Sequence, residues 1–196
     1  MFITQKAFRA LIKQAYTGAG LTVGRRENRL LFCGSYWGIE VMREVLPNKS
    51  LAAVIELTGE LPEDGGLFKA MKEGGIQYEI PETYWDITAA AEKAKDCYKV
   101  SNVMVRSGDK VYRVLQAESE QRETQLINNL FIDAVDPKEM NFGYESYIEG
   151  PLAAGMNTHA VYWKNEACVM AAFLMRKEDM KERELVEFLK GIDLEE

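Results

Sequence analysis

Residues 2–32, FITQKAFRALIKQAYTGAGLTVGRRENRLLF, combine one amphipathic segment with two short apolar runs. Apolar residues recur at the spacing of a single helix face, and these are Phe8, Leu11, Ile12 and Ala15. This spacing predicts a helix over residues 4–16. Thr4 is a suitable N-cap because its hydroxyl oxygen can accept an unpaired backbone N–H, and the glycines that follow end the helix. Residues 21–23 and 30–32 then predict a β-hairpin around a polar turn.

A second stretch, residues 84–115, repeats this order about 82 positions later and reads YWDITAAAEKAKDCYKVSNVMVRSGDKVYRVL. Asp86 falls in register with Thr4, and aspartate is also a good helix N-cap. The alanine-rich run predicts a helix over residues 86–99, and Ser107-Gly108-Asp109 predicts the turn of a second hairpin. The repeat therefore predicts two similar lobes, joined just before the second copy.

The remaining segments predict further short elements. Strand patterns occupy residues 35–45, 51–57, 76–80 and 144–148, a short helix covers 67–73, a final hairpin turns at 164–166, and an amphipathic helix covers 180–192. We therefore expect an α+β fold of two similar lobes, each a mostly antiparallel sheet with one main helix. The predicted domains are residues 1–82, residues 83–176 and a C-terminal helical segment over 177–196.

Composition restricts the class of protein. A net charge of −7 argues against a protein that coats nucleic acid indiscriminately, but it is compatible with a local basic surface. The three cysteines are odd in number and form no CxxC pair, which is typical of a reducing cytosol. The N-terminus lacks the pattern of a signal peptide, and no apolar run approaches the ~20 residues that cross a bilayer. We expect a cytoplasmic protein without membrane contact.

The usual sequence signatures of catalysis are missing. His159 is the single histidine, and no GxSxG, Walker or GxGxxG motif stands in the required context. Two acidic groups, spread over residues 56–64 and 118–123, have irregular spacing and are interpreted as solvated surface. We expect no enzyme activity, metal or cofactor. The enzymatic alternative is an acid-base or Mg²⁺ site that includes Glu56 or Glu118.

The first predicted helix is cationic although the chain as a whole is acidic. The candidate phosphate-contacting residues on the two predicted helices are Lys6, Arg9, Lys13, Lys93, Lys95 and Lys99. Residues 4–16 contain no acidic side chain, whereas Glu92 and Asp96 dilute the second group. Cations on duplicated helices predict contacts with the phosphate backbone of duplex DNA that do not read bases. An ordinary solvated helix face is the alternative interpretation.

This layout, a basic helix backed by antiparallel strands and present twice, resembles the DNA sliding clamps, the processivity factors of DNA replication. The resemblance covers the layout of residues 1–176 and rests on no sequence motif. It implies helices on the inner wall of a ring and a sheet on the outside. It also implies ring closure in a homo-oligomer, docking of replication or repair proteins, and no catalytic residue. The single main helix per half and the helix over 180–192 depart from the family's pattern.

Every tryptophan follows a tyrosine, in the pairs Tyr36-Trp37, Tyr84-Trp85 and Tyr162-Trp163. Because neighbours on a strand face opposite sides, each pair is expected to place one ring in the core and the other outward. The alternative interpretation of the pairs is large core residues with tyrosine at the rim of the core. Outward rings or an open sheet edge could bind a peptide. The alternative function is therefore a protein- or peptide-binding module without DNA binding. The leading expectation is a non-enzymatic, clamp-like protein that associates with duplex DNA and tethers partner proteins.

Overall fold

The computed structural model describes residues 1–136, 148–155, 159–175, 183–190 and 192–194. Its helices are α1 (Gln5–Thr17), α2 (Asn48–Thr58), α3 (Ile87–Glu92), α4 (Asn129–Ala134) and α5 (Arg183–Phe188). Its strands are β1 (Leu21–Arg26), β2 (Arg29–Cys33), β3 (Trp37–Met42), β4 (Leu67–Met71), β5 (Gly75–Gln77), β6 (Asp96–Ser107), β7 (Lys110–Ala117), β8 (Thr124–Asn128), β9 (Glu149–Ala153), β10 (Ala160–Lys164) and β11 (Cys168–Phe173).

The strands form a single 11-stranded sheet in the order β5-β4-β1-β2-β3-β11-β10-β9-β6-β7-β8. Neighbouring strands along this order pair antiparallel. β3 and β11 come from the two predicted lobes and pair directly, with Ile39 opposite Met170. The fold is therefore α+β, and strands from both halves of the sequence belong to the same sheet.

One face of the sheet, which we call the first face, carries α1, α2 and α4. Phe8 of α1 is fully buried, and its ring meets that of Phe32 edge-on, with 5.2 Å between the centroids. Val54 of α2 joins the same core, and α2 lies alongside α1. The hydroxyl oxygen of Thr4 accepts a hydrogen bond from the backbone N–H of Ala7 at 3.1 Å, so α1 begins with the expected N-cap.

The opposite face, which we call the second face, is covered by residues 84–86 and α3. Ile87 and Ala91 of α3 pack with residues of β2, β10 and β11 in a separate apolar cluster. The absence of a side chain at Gly38 of β3 allows Ile87 and Trp85 to pack closely on this face of the sheet. A Cβ atom there would lie 2.5 Å from Cδ1 of Ile87 and 2.8 Å from Cζ3 of Trp85. α1 and α3, the helices of the two predicted copies, therefore pack on opposite faces of one sheet.

Local patterns predicted several elements correctly. The first helix, the β1–β2 hairpin, the β6–β7 turn at Ser107-Gly108-Asp109 and the β10–β11 turn at 164–166 all form as expected. α5 lies inside the helix predicted over 180–192. Residues 144–147 of one predicted strand lie outside the described residues.

Three secondary-structure predictions are wrong. Residues 51–57, expected as a strand, lie within α2, because packing of that segment beside α1 outweighs the β propensity of its branched side chains. Residues 67–73, expected as a helix, contain β4, which pairs with β1. The helix expected over 86–99 ends at Glu92, and β6 begins at Asp96 because that segment pairs with β9.

Candidate nucleic-acid interface

The outward side of α1 carries three cations in one line. Lys6, Arg9 and Lys13 are exposed, while the apolar residues of the opposite side are buried in the first-face core. Over this helix no acidic side chain interrupts the line. Ala10 is exposed between the cations, so a short side chain lies where a longer one would keep a ligand away from the helix surface. This arrangement suits contact with a polyanion.

Two further exposed cations lie on segments that contact α1, and sequence reasoning missed both. The backbone N–H of Lys72 donates a hydrogen bond to the carbonyl oxygen of Tyr16 at 3.0 Å, which places Lys72 at the end of α1. Lys49 is exposed on α2, the neighbouring helix. Both side chains are exposed, and no local pattern could have revealed either position, because each depends on a contact between segments distant in sequence.

The structure does not bring the second predicted group onto the same surface. Lys93 is the C-cap residue of α3, on the second face, and Lys95 lies between α3 and β6. Lys99 lies on β6 and points to the side opposite the buried Tyr98, which belongs to the first-face core. All three are exposed. The expected stripe along a second helix is therefore absent, since that helix ends before Lys95.

Lys99 lines a polar cavity of about 340 Å³ together with residues of the β7–β8 connection. The guanidinium of Arg122 lies 3.1 Å from the carboxylate of Asp193 in this cavity. The side-chain amide of Gln116 donates to the carbonyl oxygen of Ile192 at 2.7 Å. Two carboxylates, of Glu118 and Asp193, line the cavity together with its two cations, so it lacks the acid-free character of the α1 surface.

The acidic groups are surface features with structural contacts. Glu60 accepts a hydrogen bond from the hydroxyl of Tyr78, and Asp64 accepts one from the backbone N–H of Glu27. Glu56 and Glu118 are exposed. In the part of the chain that the structure describes, no three His, Cys, Asp or Glu side chains are arranged to hold a metal ion. His159 is exposed just before β10.

A second cavity, of about 230 Å³, lies on the second face beside Cys33 and Trp85. The ammonium of Lys69 and the carboxylate of Glu82, 2.7 Å apart, also line it. Burial, with a smaller contribution from the carboxylate of Glu40, raises the pKa of the Cys33 thiol to about 12. The thiol is therefore protonated near neutral pH, which makes it a poor nucleophile.

The three Tyr-Trp pairs have different environments. Tyr36 is exposed and Trp37 buried, as expected for neighbours on opposite sides of a strand. Tyr162 and Trp163 also point to opposite faces, but both are buried because both faces of the sheet are covered. Trp85 packs against Phe173, with 5.7 Å between the ring centroids. The outward ring expected in every pair is therefore found at Tyr36 but not at Tyr162. Tyr84 and Trp85 lie outside any strand and are both half-buried.

Comparison of the sequence with models of known protein families and with curated proteins found no match. None of the helices within the described ranges is long and apolar enough to cross a membrane. The candidate interface is the exposed side of α1, where three cations lie in a line that no acidic side chain of the helix interrupts. We call this surface, with Lys6, Arg9 and Lys13, the α1 face.

Proposed function

We propose that this chain is a non-enzymatic, sliding-clamp-like protein that associates with duplex DNA regardless of sequence and tethers replication or repair proteins in the cytoplasm. The α1 face carries the proposal. It presents three exposed cations and no carboxylate in a chain whose net charge is −7. Such a concentration of positive charge on one helix, backed by a sheet, favours contact with a regular line of phosphates.

The dimensions of the α1 face support duplex DNA as the ligand. Lys6 and Lys13 are separated by roughly 10 Å along the helix axis. Over that distance duplex DNA presents about six phosphate charges. Lys72, at the end of α1, and Lys49, on the neighbouring helix α2, are two further exposed cations on segments that contact α1. The acidic remainder of the protein would repel DNA and so orient it toward this surface.

The test is binding of the purified protein to a short fluorescent duplex, measured by anisotropy between about 50 and 200 mM salt. Three engaged cations contribute about −2.7 to the slope of log affinity against log salt. A variant with Lys6, Arg9 and Lys13 all changed to Gln should lose that part of the slope. An unchanged slope in this variant contradicts the proposed site.

Self-association is part of the proposal, because three cations in a single copy give only weak retention on DNA. Several copies arranged around one duplex multiply the contacts without strengthening any one of them. We therefore expect a homo-oligomer of fixed stoichiometry by light scattering. A monomer that is not retained on DNA even at low salt would contradict the clamp-like function.

The second candidate is a protein- or peptide-binding module without DNA binding, and one observation favours it. Phe188 on α5 is 71% exposed, and Leu185 on the same helix is also exposed. Exposed neighbouring apolar side chains are typical of surfaces that bind other proteins. This candidate predicts no salt-dependent affinity for the duplex, so the same titration separates the two functions.

A further inference from the structure

The hairpin formed by β6 and β7 is a second concentration of positive charge. Its strands turn at Gly108, whose φ of 62° lies in the left-handed region that glycine tolerates. Around this turn, residues 104–113 contain three cations, Arg106, Lys110 and Arg113, and one acid, Asp109. This stretch has a net charge of +2 in a chain whose net charge is −7.

One side of the hairpin is fixed to the rest of the protein. Val105 and Val114 are buried in a cluster that also contains Leu189, which follows α5. Within the hairpin, the hydroxyl of Ser101 on β6 donates to the carbonyl oxygen of Val114 on β7 at 2.9 Å. On the other side of the ribbon, Arg113 donates to the side-chain oxygen of Asn129 on α4 at 3.0 Å. These contacts hold the base of the hairpin, so its tip is presented in one orientation.

The other side of the hairpin is open and lies on the first face. Met104 pairs with Arg113 and Arg106 pairs with Val111, so these four side chains share one side of the ribbon. Leu115, two pairs further along β7, points to the same side and belongs to the first-face core. Nearer the turn, this side is open to solvent, with Met104 57% exposed and Val111 38% exposed. The open side of the hairpin and the α1 face are therefore on the same face of the sheet.

We infer that the tip of the β6–β7 hairpin enters the major groove of the duplex that the α1 face contacts. A two-stranded ribbon, with strands about 4.8 Å apart and side chains on both sides, fits the roughly 12 Å major groove and is too wide for the roughly 6 Å minor groove. This inference rests on the proposed function. It adds a groove contact to an interface that otherwise touches only phosphates.

The chemistry of the tip matches a groove. Arg106 pairs with Val111 and Lys110 pairs with Ser107, so the two cations lie on opposite sides of the ribbon. Both are exposed, and among the described residues neither forms an ion pair, so each long side chain is free to reach the phosphates on its own side of the groove. Met104 and Val111 share the open side with Arg106 and add apolar surface there, which contacts the groove without hydrogen bonds to particular bases. The positive charge around these apolar residues favours DNA over an apolar protein surface as the occupant.

The experiment combines anisotropy with methylation of guanine N7 by dimethyl sulfate, since N7 lies in the major groove. The tip variant is Arg106→Gln with Lys110→Gln. The matched control is Lys93→Gln with Lys95→Gln, which also removes two exposed cations but lies away from the first face. In the wild type we expect protection of N7. In the tip variant we expect that protection to be lost and the salt slope to fall by about 2. The control should retain both.

Several outcomes would overturn the inference. Binding of the wild type without N7 protection would place the hairpin outside the major groove and leave the α1 face standing. Equal salt slopes for the tip variant and the control would also show that the hairpin does not contact the duplex, and would leave the α1 face standing. If the wild type does not bind the duplex at low salt, the proposed function fails and the groove contact with it. Met104→Ser is a second variant in case the first does not fold, and it should reduce N7 protection without changing the salt slope.

Discussion

The carboxylate of Glu40 accepts a hydrogen bond from the backbone N–H of Thr88 at 3.1 Å, and this contact ties the start of α3 to the middle of the sheet. Glu40 lies on β3 and is only 3% exposed. The hydroxyl of Tyr84 lies 3.5 Å from its other oxygen. Burial, followed by the nearby charge of Glu40, raises the pKa of the Tyr84 hydroxyl, so this group remains a neutral donor. A polar contact therefore fixes the connection between the two halves of the sequence.

Replacing Glu40 tests this attachment. Glu40→Ala leaves the N–H of Thr88 without its acceptor, and we expect the free energy of unfolding to fall by about 2 kcal/mol. Glu40→Gln keeps an acceptor oxygen of the same shape and should cost less, about 1 kcal/mol. Urea denaturation followed by circular dichroism measures both. Equal losses in the two variants would show that the hydrogen bond to Thr88 is not the stabilising contact.

Gly38 offers a test of the second-face packing. We expect Gly38→Ala to destabilise the protein by about 1–3 kcal/mol, because the added methyl overlaps Ile87 and Trp85. Ile87→Val removes the Cδ1 atom nearest that methyl. In a double-mutant cycle, the two changes together should therefore cost less than the sum of the single changes. Strict additivity would contradict the contact.

Reversing one charge tests which face of the sheet meets DNA. Lys13→Glu should weaken duplex binding and reduce the salt slope by at least about 1, because the α1 face loses one of its cations. Lys93→Glu is the control on the second face and should leave the affinity unchanged. Both residues are exposed, so both variants should unfold at the same denaturant concentration as the wild type. A larger effect of the Lys93 variant would place the interface on the second face.

Because the thiol of Cys168 is buried, we expect the protein to lose stability at alkaline pH. Burial is the main cause that raises the pKa of Cys168 from 9.0 to about 12. The folded state therefore holds the thiol proton more tightly than the unfolded state does. The stability that the protonated thiol contributes is fully present below pH 9 and is lost as pH rises towards 12. Within that window one such thiol contributes a slope of about 1.4 kcal/mol per pH unit.

The measurement is denaturant unfolding at a series of pH values above 8.5, compared for Cys168→Ala and for Cys97→Ala as the control. Cys97 is exposed, whereas Cys168 is buried, so Cys97→Ala is a matched control that removes a thiol from the surface. Cys168→Ala should have a shallower decline, even though its stability at neutral pH is lower because of the cavity it creates. An identical decline in both variants would mean that titration of Cys168 does not control alkaline unfolding.

What could be predicted from the sequence is local. The period of Phe8, Leu11, Ile12 and Ala15 determines the buried side of α1, and with it the exposed line of Lys6, Arg9 and Lys13. The β6–β7 turn is likewise determined by Ser107-Gly108-Asp109, because only a few residue types tolerate its backbone. In both cases the interactions that matter join residues close together in the chain.

Other features were decided only by the tertiary structure. Residues 51–57 become a helix because α2 packs beside α1, and residues 96–99 become a strand because they pair along β9 and β7. The position of Lys72 at the end of α1 follows from a hydrogen bond across 56 positions of the chain, to Tyr16. That α3 covers the face opposite α1 follows from the fit of Ile87 and Trp85 over Gly38. Contacts between segments distant in the chain therefore determine which cations share a surface. Such pairing and packing leave no periodic pattern in the sequence, so the sequence alone could not predict them.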